Sequence, residues 1–169
     1  MRIFITGKPG SGKSRLAKEI VDFLKRSRKN VVGILSPEIR REGKRIGFYI
    51  EDIKTGAREI LASTSIKPHV VSRYGVNIKG VERIVDIVKS QIKNADFVVI
   101  DEIGKMELFA DCFREFVDKV IKEKVNLIAV VHRNYSDRYS KYGDLVVLKK
   151  DNYDEARSSI LKKLKKVLF

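Results

Sequence analysis

Two short stretches hold residues whose types and spacing can do chemistry. The first, GKPGSGKS, runs from Gly7 to Ser14 and fits the pattern G-x-x-x-x-G-K-[ST]. Gly7, Gly10 and Gly12 let the backbone turn tightly and bring its N–H groups up to phosphate oxygens. Pro9 stiffens the turn, and Lys8 and Ser11 fill the rest of the loop. Lys8 reads either as a phosphate contact or as a solvated lysine. Lys13 is placed to reach β- and γ-phosphates, and the Ser14 hydroxyl to bind Mg²⁺. A helix starting at Lys13 adds the positive end of its dipole. This is a phosphate-binding loop, or P-loop.

The second stretch is FVVIDEIG, Phe97 to Gly104. Its apolar run Phe97, Val98, Val99, Ile100 reads as a buried strand ending in Asp101, a second Mg²⁺ partner beside Ser14. Glu102 follows directly. A carboxylate there is placed to polarise a water in line with the γ-phosphate, a need that most small-molecule kinases lack. His132 and Arg133, at the end of the apolar run NLIAVV, are candidates for the γ-phosphate side, Arg133 as a stabiliser of transition-state charge. The candidate catalytic set is therefore Lys13, Glu102, His132 and Arg133.

These residues need elements to hold them. The pattern predicts a strand over Arg2–Thr6, a helix over Lys13–Lys29 and a strand over Val31–Ile39. A β-hairpin insertion, roughly 37–78, follows, with a strand over Ile46–Ile53 and a shorter one at REILA. A helix then places Val81, Ile84, Val85, Val88 and Ile92 on one face. After the Asp101 strand comes a helix with Phe113, Phe116, Val117, Val120 and Ile121 inward. Two more strands, NLIAVVH and DLVVLKK, precede a last helix from Tyr153, with Ala156, Ile160, Leu161 and Leu164 inward. Short apolar strands alternating with helices predict a three-layer α/β domain spanning 1–169, with a mostly parallel sheet covered on both faces. Ligands bind at the carboxyl ends of such strands, where the loop, Asp101–Glu102 and His132–Arg133 all fall. A further strand between Lys13 and Asp101 means that the acidic strand need not be the immediate neighbour of the loop.

The chain has 169 residues, of which 43% are hydrophobic, enough to build a core. Its 36 lysines and arginines against 22 acids leave a net charge of +14, compatible with nucleic acid or another anionic partner. Charged residues make up 34%, and Gln91 is the lone glutamine, which resembles the composition of high-temperature proteins. The single cysteine, Cys112, excludes an internal disulfide or a cysteine-built metal site. With no signal segment and no apolar run of membrane-spanning length, a soluble cytoplasmic protein without membrane contact is expected.

At DEIGKMEL, Asp101 to Leu108, with the P-loop and the hairpin stretch RREGKRIGFYIEDIKTG, the chain resembles a small family of nucleoside-triphosphatases first described from thermophiles, which includes a human cancer-related nucleoside-triphosphatase. SRYGVN and AVVHR match more loosely. The resemblance implies Mg²⁺-dependent hydrolysis of nucleoside triphosphates (ATP, GTP, CTP, UTP) to diphosphate and phosphate. It also implies broad base tolerance, slow turnover and a RecA-like core. By position, Gly7–Ser14 would be the phosphate loop and Phe97–Gly104, including Ile103 and Gly104, the second nucleotide segment. The family loop often reads G-P-P-G, where this chain has Lys8. Two other readings stand beside hydrolysis: a nucleotide or small-molecule kinase, whose lid would include Arg138 and Lys141, and a nucleic-acid-associated ATPase using basic and aromatic residues of His132–Tyr142. The sequence leaves the oligomeric state open.

Overall fold

The computed structural model describes residues 1–169. Strand β1 (Arg2–Gly7) leads into helix α1 (Lys13–Arg26). Strands β2 (Val31–Leu35), β3 (Glu38–Arg41), β4 (Lys44–Asp52), β5 (Arg58–Ser63) and β6 (Gly75–Val76) follow. Then come α2 (Ile78–Gln91), β7 (Phe97–Ile103), the short α3 (Lys105–Leu108) and α4 (Asp111–Lys122). The chain closes with β8 (Asn126–Val131), α5 (Ser136–Ser140), β9 (Asp144–Leu148) and α6 (Tyr153–Leu168).

All nine strands join one sheet in the order β6-β5-β4-β2-β7-β8-β1-β9, with β3 on β4. From β2 to β9 every pairing is parallel. From β2 through β4 and β5 to β6 every pairing is antiparallel, as is β3 with β4. The insertion read at 37–78 thus extends the parallel core sideways. Strand β8 lies between β1 and β7, so the loop and the acids hang from strands that do not touch.

Alternation along β7 splits the core in two. Val98 and Ile100 face the side covered by α2 and α4, with Val81, Phe113 and Phe116. Phe97 and Val99 face the side covered by α1 and α6, with Leu16, Ile20 and Ile160. Leu16, Ile20 and Leu24 of α1 are fully buried. Each such side chain contributes roughly 1.5–3 kcal/mol, which fixes the start of α1 against the end of β1.

Local chemistry moves several predicted boundaries. The strand expected over Val31–Ile39 breaks after Leu35. Pro37 has no N–H to give a ladder, and its carbonyl instead accepts from Tyr49 N at 2.8 Å. Helix α1 stops at Arg26 rather than Lys29, because Arg28 turns to φ 58° and Lys29 N bonds back to the Leu24 carbonyl. No helix is long and apolar enough to cross a membrane.

Candidate active site

The loop between β1 and α1 is held by close approaches that only glycine permits. Gly12 has φ 95°, and a Cβ there would lie 2.9 Å from the Tyr153 ring. Gly12 caps α1 without a side-chain hydrogen bond, so the first-turn amides stay available to an anion. Lys13 Nζ donates to the Gly7 carbonyl at 2.6 Å, which folds the ammonium back over the loop.

The acids arrive on β7 through a break in register. Asp101 pairs with Val130 of β8 and Ile103 with Val131, so Glu102 has no partner of its own. On a regular strand consecutive side chains face opposite ways; the extra residue re-aims one of them. Asp101 and Glu102 consequently line the same cleft, of about 470 Å³, with Pro9, Gly10, Lys13, Ser14 and His132. That size suits a small ligand.

Asp101 is 6% exposed and has no ion-pair partner. Burial, then the neighbouring Glu102 charge, push its pKa up to about 7, against the Ser14 hydroxyl and Lys13. Burial also raises Glu102, while Lys13 and Arg45 hold it down. A third carboxylate, Glu107 of α3, is 4% exposed, and burial together with the Glu102 charge pushes it well above the carboxylate range. Gly104 separates the two glutamates: a Cβ there would lie 2.8 Å from Glu107 Oε2 and 3.0 Å from Glu102 Oε1.

At the end of β8, His132 N donates to the Ile103 carbonyl at 3.0 Å, tying the histidine beside the acids. Its Nδ1 accepts from Asn134 N at 3.2 Å and caps a 3₁₀ turn, Arg133–Tyr135. Burial, then the charges of Lys13, Lys105 and Arg133, lower its pKa. The neutral ring therefore carries its proton on Nε2.

The structure does not bring every predicted residue to the cleft. Phe97, Val98, Val99, Ile100 and Ile103 are buried in the core and serve as the strand that carries the acids. The turn capped by His132 leaves Arg133 exposed and outside the cleft lining, and Lys8 is likewise exposed and outside it. Ser11 is buried, its hydroxyl unpaired and directed under the loop near Gly7. Lys105 and Glu107 both line the cleft, without an ion pair between them. Sequence reasoning missed Ser36, just past β2, Glu38 of β3, and Arg45 and Phe48 of β4, which close the far end of the cleft. For Arg45 and Phe48 the only signal was that RREGKRIGFYIEDIKTG forms part of a family pattern without a chemical role attached, and Ser36 and Glu38 lie outside that stretch.

The chain is similar over nearly its whole length to known proteins. A family model described as NTPase matches residues 2–161. The nucleoside-triphosphatase THEP1 of Methanocaldococcus jannaschii is 39% identical over 165 residues, covering 97% of each chain. That of Pyrococcus abyssi is 38% identical over 169 residues, covering 99% of this chain and 94% of the relative. The crystal structure of THEP1 from Aquifex aeolicus superposes with a TM-score of 0.74 at 30% identity, over 97% of this chain and 99% of that one. The solution structure of a human cancer-related nucleoside triphosphatase gives 0.77 at 27% identity, over 98% and 97%. With the P-loop, the paired acids and a match over nearly its whole length, the chain belongs to this NTPase family, the one to which DEIGKMEL points.

Proposed function

We propose that the protein hydrolyses nucleoside triphosphates to diphosphate and phosphate, with Mg²⁺ as cofactor and little selection of the base. The observation that carries this reading is the placement of Glu102 beside Asp101 in the cleft that the P-loop opens into. The loop amides and Lys13 hold the β- and γ-phosphates. The buried Asp101 carboxylate and the Ser14 hydroxyl are hard oxygen donors of the kind Mg²⁺ takes. Bound there, the ion would neutralise charge shared by the two phosphates.

Glu102 orients the attacking water and accepts its proton as the water oxygen bonds to the γ-phosphorus and the bridging P–O bond breaks. A carboxylate raised by burial is a stronger base than an exposed one. His132 Nε2–H donates toward oxygen of the transferring group. No asparagine or glutamine lines the cleft. A site without base-reading amides leaves nothing unpaired when the base changes, which supports broad tolerance. The THEP1 relatives are named as nucleoside-triphosphatases, in agreement with this chemistry.

The test is phosphate release from ATP, GTP, CTP and UTP, with Mg²⁺ and with EDTA. The reading expects all four to be hydrolysed at rates within about tenfold of one another, and none in EDTA. One base preferred by several hundredfold, or release that persists in EDTA, would contradict it.

A further inference from the structure

Four cations line the cleft: Lys13, Arg15, Arg45 and Lys105. Lys13 belongs to the phosphate loop. Arg15 lies over the Tyr153 ring at 4.5 Å and pairs with Glu19 along α1. Lys105 is exposed and makes no hydrogen bond through its side chain. Arg45 is exposed as well, but the inserted hairpin fixes it through hydrogen bonds. Its Nε donates to the Tyr74 hydroxyl at 3.1 Å and its Nη1 to Glu38 Oε1 at 3.4 Å. The guanidinium lies over the Phe48 ring, 5.0 Å from its centroid. Arg73 donates to the Arg45 carbonyl at 2.9 Å and to the Tyr74 hydroxyl at 3.1 Å, bracing both. Nη2 of Arg45 is left without a partner, and no ion pair ties Arg45 to Glu102.

The sheet order gives this placement its meaning. Across β4-β2-β7-β8-β1, Glu102 on β7 lies between Arg45 on β4 and Lys13 just past β1. A γ-phosphate held by the loop and attacked by water at Glu102 has Lys13 on its loop side. Arg45 is the fixed cation on the opposite side.

Resting on the hydrolase reading, we propose that Arg45 is a catalytic residue supplied in cis by the inserted hairpin, donating from its free Nη2 to γ-phosphate oxygen as negative charge shifts in the transition state. Tyr74, Arg73 and Glu38 are positioning residues that hold the fork. Glu102 feels the Arg45 charge as well as that of Lys13, in keeping with both cations lining the same cleft. The two stretches that the family pattern singled out without a chemical role, KRIGF and SRYG, thereby acquire one: together they build a single fixed arginine. The bond changes are those of hydrolysis, and Arg45 supplies charge without gaining or losing a proton.

The experiment compares wild type with Arg45→Ala, Arg45→Lys and Tyr74→Phe, each first checked for an unchanged melting profile. Steady-state kcat and KM are measured alongside the affinity for Mg²⁺–ADP with aluminium fluoride, which mimics the transferring phosphoryl group, and for Mg²⁺ with a non-hydrolysable ATP analogue. Arg45→Ala should lower kcat about 10²–10³-fold. It should weaken the fluoroaluminate complex by a similar factor, and change KM and analogue affinity less than about threefold. Arg45→Lys should recover only a minor part, because a point charge lacks the fork. Tyr74→Phe should lower kcat about three- to tenfold through the lost Nε contact. An active wild type with an unaffected Arg45→Ala, or a loss confined to KM and analogue affinity, overturns the catalytic role and leaves the hydrolase reading standing. A wild type that releases no phosphate overturns both.

Discussion

At the residue scale, the site is a cluster of carboxylates that need countercharge. Asp101 has its pKa at about 7 against 3.8 for an ordinary aspartate, chiefly through burial. The folded protein therefore takes up a proton at this group between those two values. Its contribution to stability is complete below about pH 4 and is lost as pH rises through about 7. In metal-free protein, Asp101→Asn should raise stability at pH 8 by up to about 4 kcal/mol, with the difference vanishing near pH 4. Urea unfolding in EDTA at the two pH values checks this, and a mutant less stable than wild type at pH 8 would contradict it. Gly104→Ala should push the Glu102 and Glu107 carboxylates aside, since its Cβ would lie within 3.0 Å of both. Turnover should fall more than about tenfold while a fluorescent nucleotide analogue still binds within about threefold of wild type. The loop and Asp101–Glu102 were legible because their chemistry is local and follows fixed spacing. Arg45 was not, since one arginine among 36 basic residues acquires meaning only when β4 pairs with β2 and carries it to the cleft.

At the element scale, what matters is how closely backbones approach. Strands β2 and β7 meet at Gly33, where φ is 140° and a Cβ would lie 1.8 Å from the Val99 carbonyl oxygen. No side chain can yield there, because the obstacle is backbone in the centre of the sheet. Gly33→Ala should cost more than about 3 kcal/mol and disturb the strand bearing Asp101. Denaturant midpoints would register this, and a loss below about 1 kcal/mol would count against the described pairing. Most helices and strands could be read from periodicity. The break at Ser36–Pro37 and the two-residue β6 could not, because each depends on partners distant in the chain. The bulge at Glu102 is a property of the β7–β8 pair and leaves no mark on either strand's own pattern.

At the scale of the whole molecule, charge dominates. The net charge of +14 is spread over a surface whose ion pairs, such as Arg58–Glu51 and Arg83–Glu59, are exposed. Exposed pairs contribute little at 25 °C. Repulsion among uncompensated cations extends over a Debye length and is screened by salt. Raising NaCl from about 20 to 500 mM should therefore raise the melting temperature of the nucleotide-free protein. A fall would mean that the pairs outweigh the repulsion. The same sheet that carries this surface also sets the order Lys13, His132, Glu102, Arg45 across the cleft, from β1 over β8 and β7 to β4. The sequence implied a strand beyond the first α/β unit. It did not contain the order itself, which arises from pairing.

The most direct test of the account is a comparison of wild type and Glu102→Gln in a single-turnover assay, with nucleotide affinity measured on the same samples. If the loop holds a triphosphate so that Glu102 can direct water at it, the mutant should bind Mg²⁺–ATP within about threefold of wild type and hydrolyse it at least about 10²-fold more slowly. A mutant that binds normally and still hydrolyses at a rate near wild type would show that the water is activated elsewhere, and the central assignment would fall.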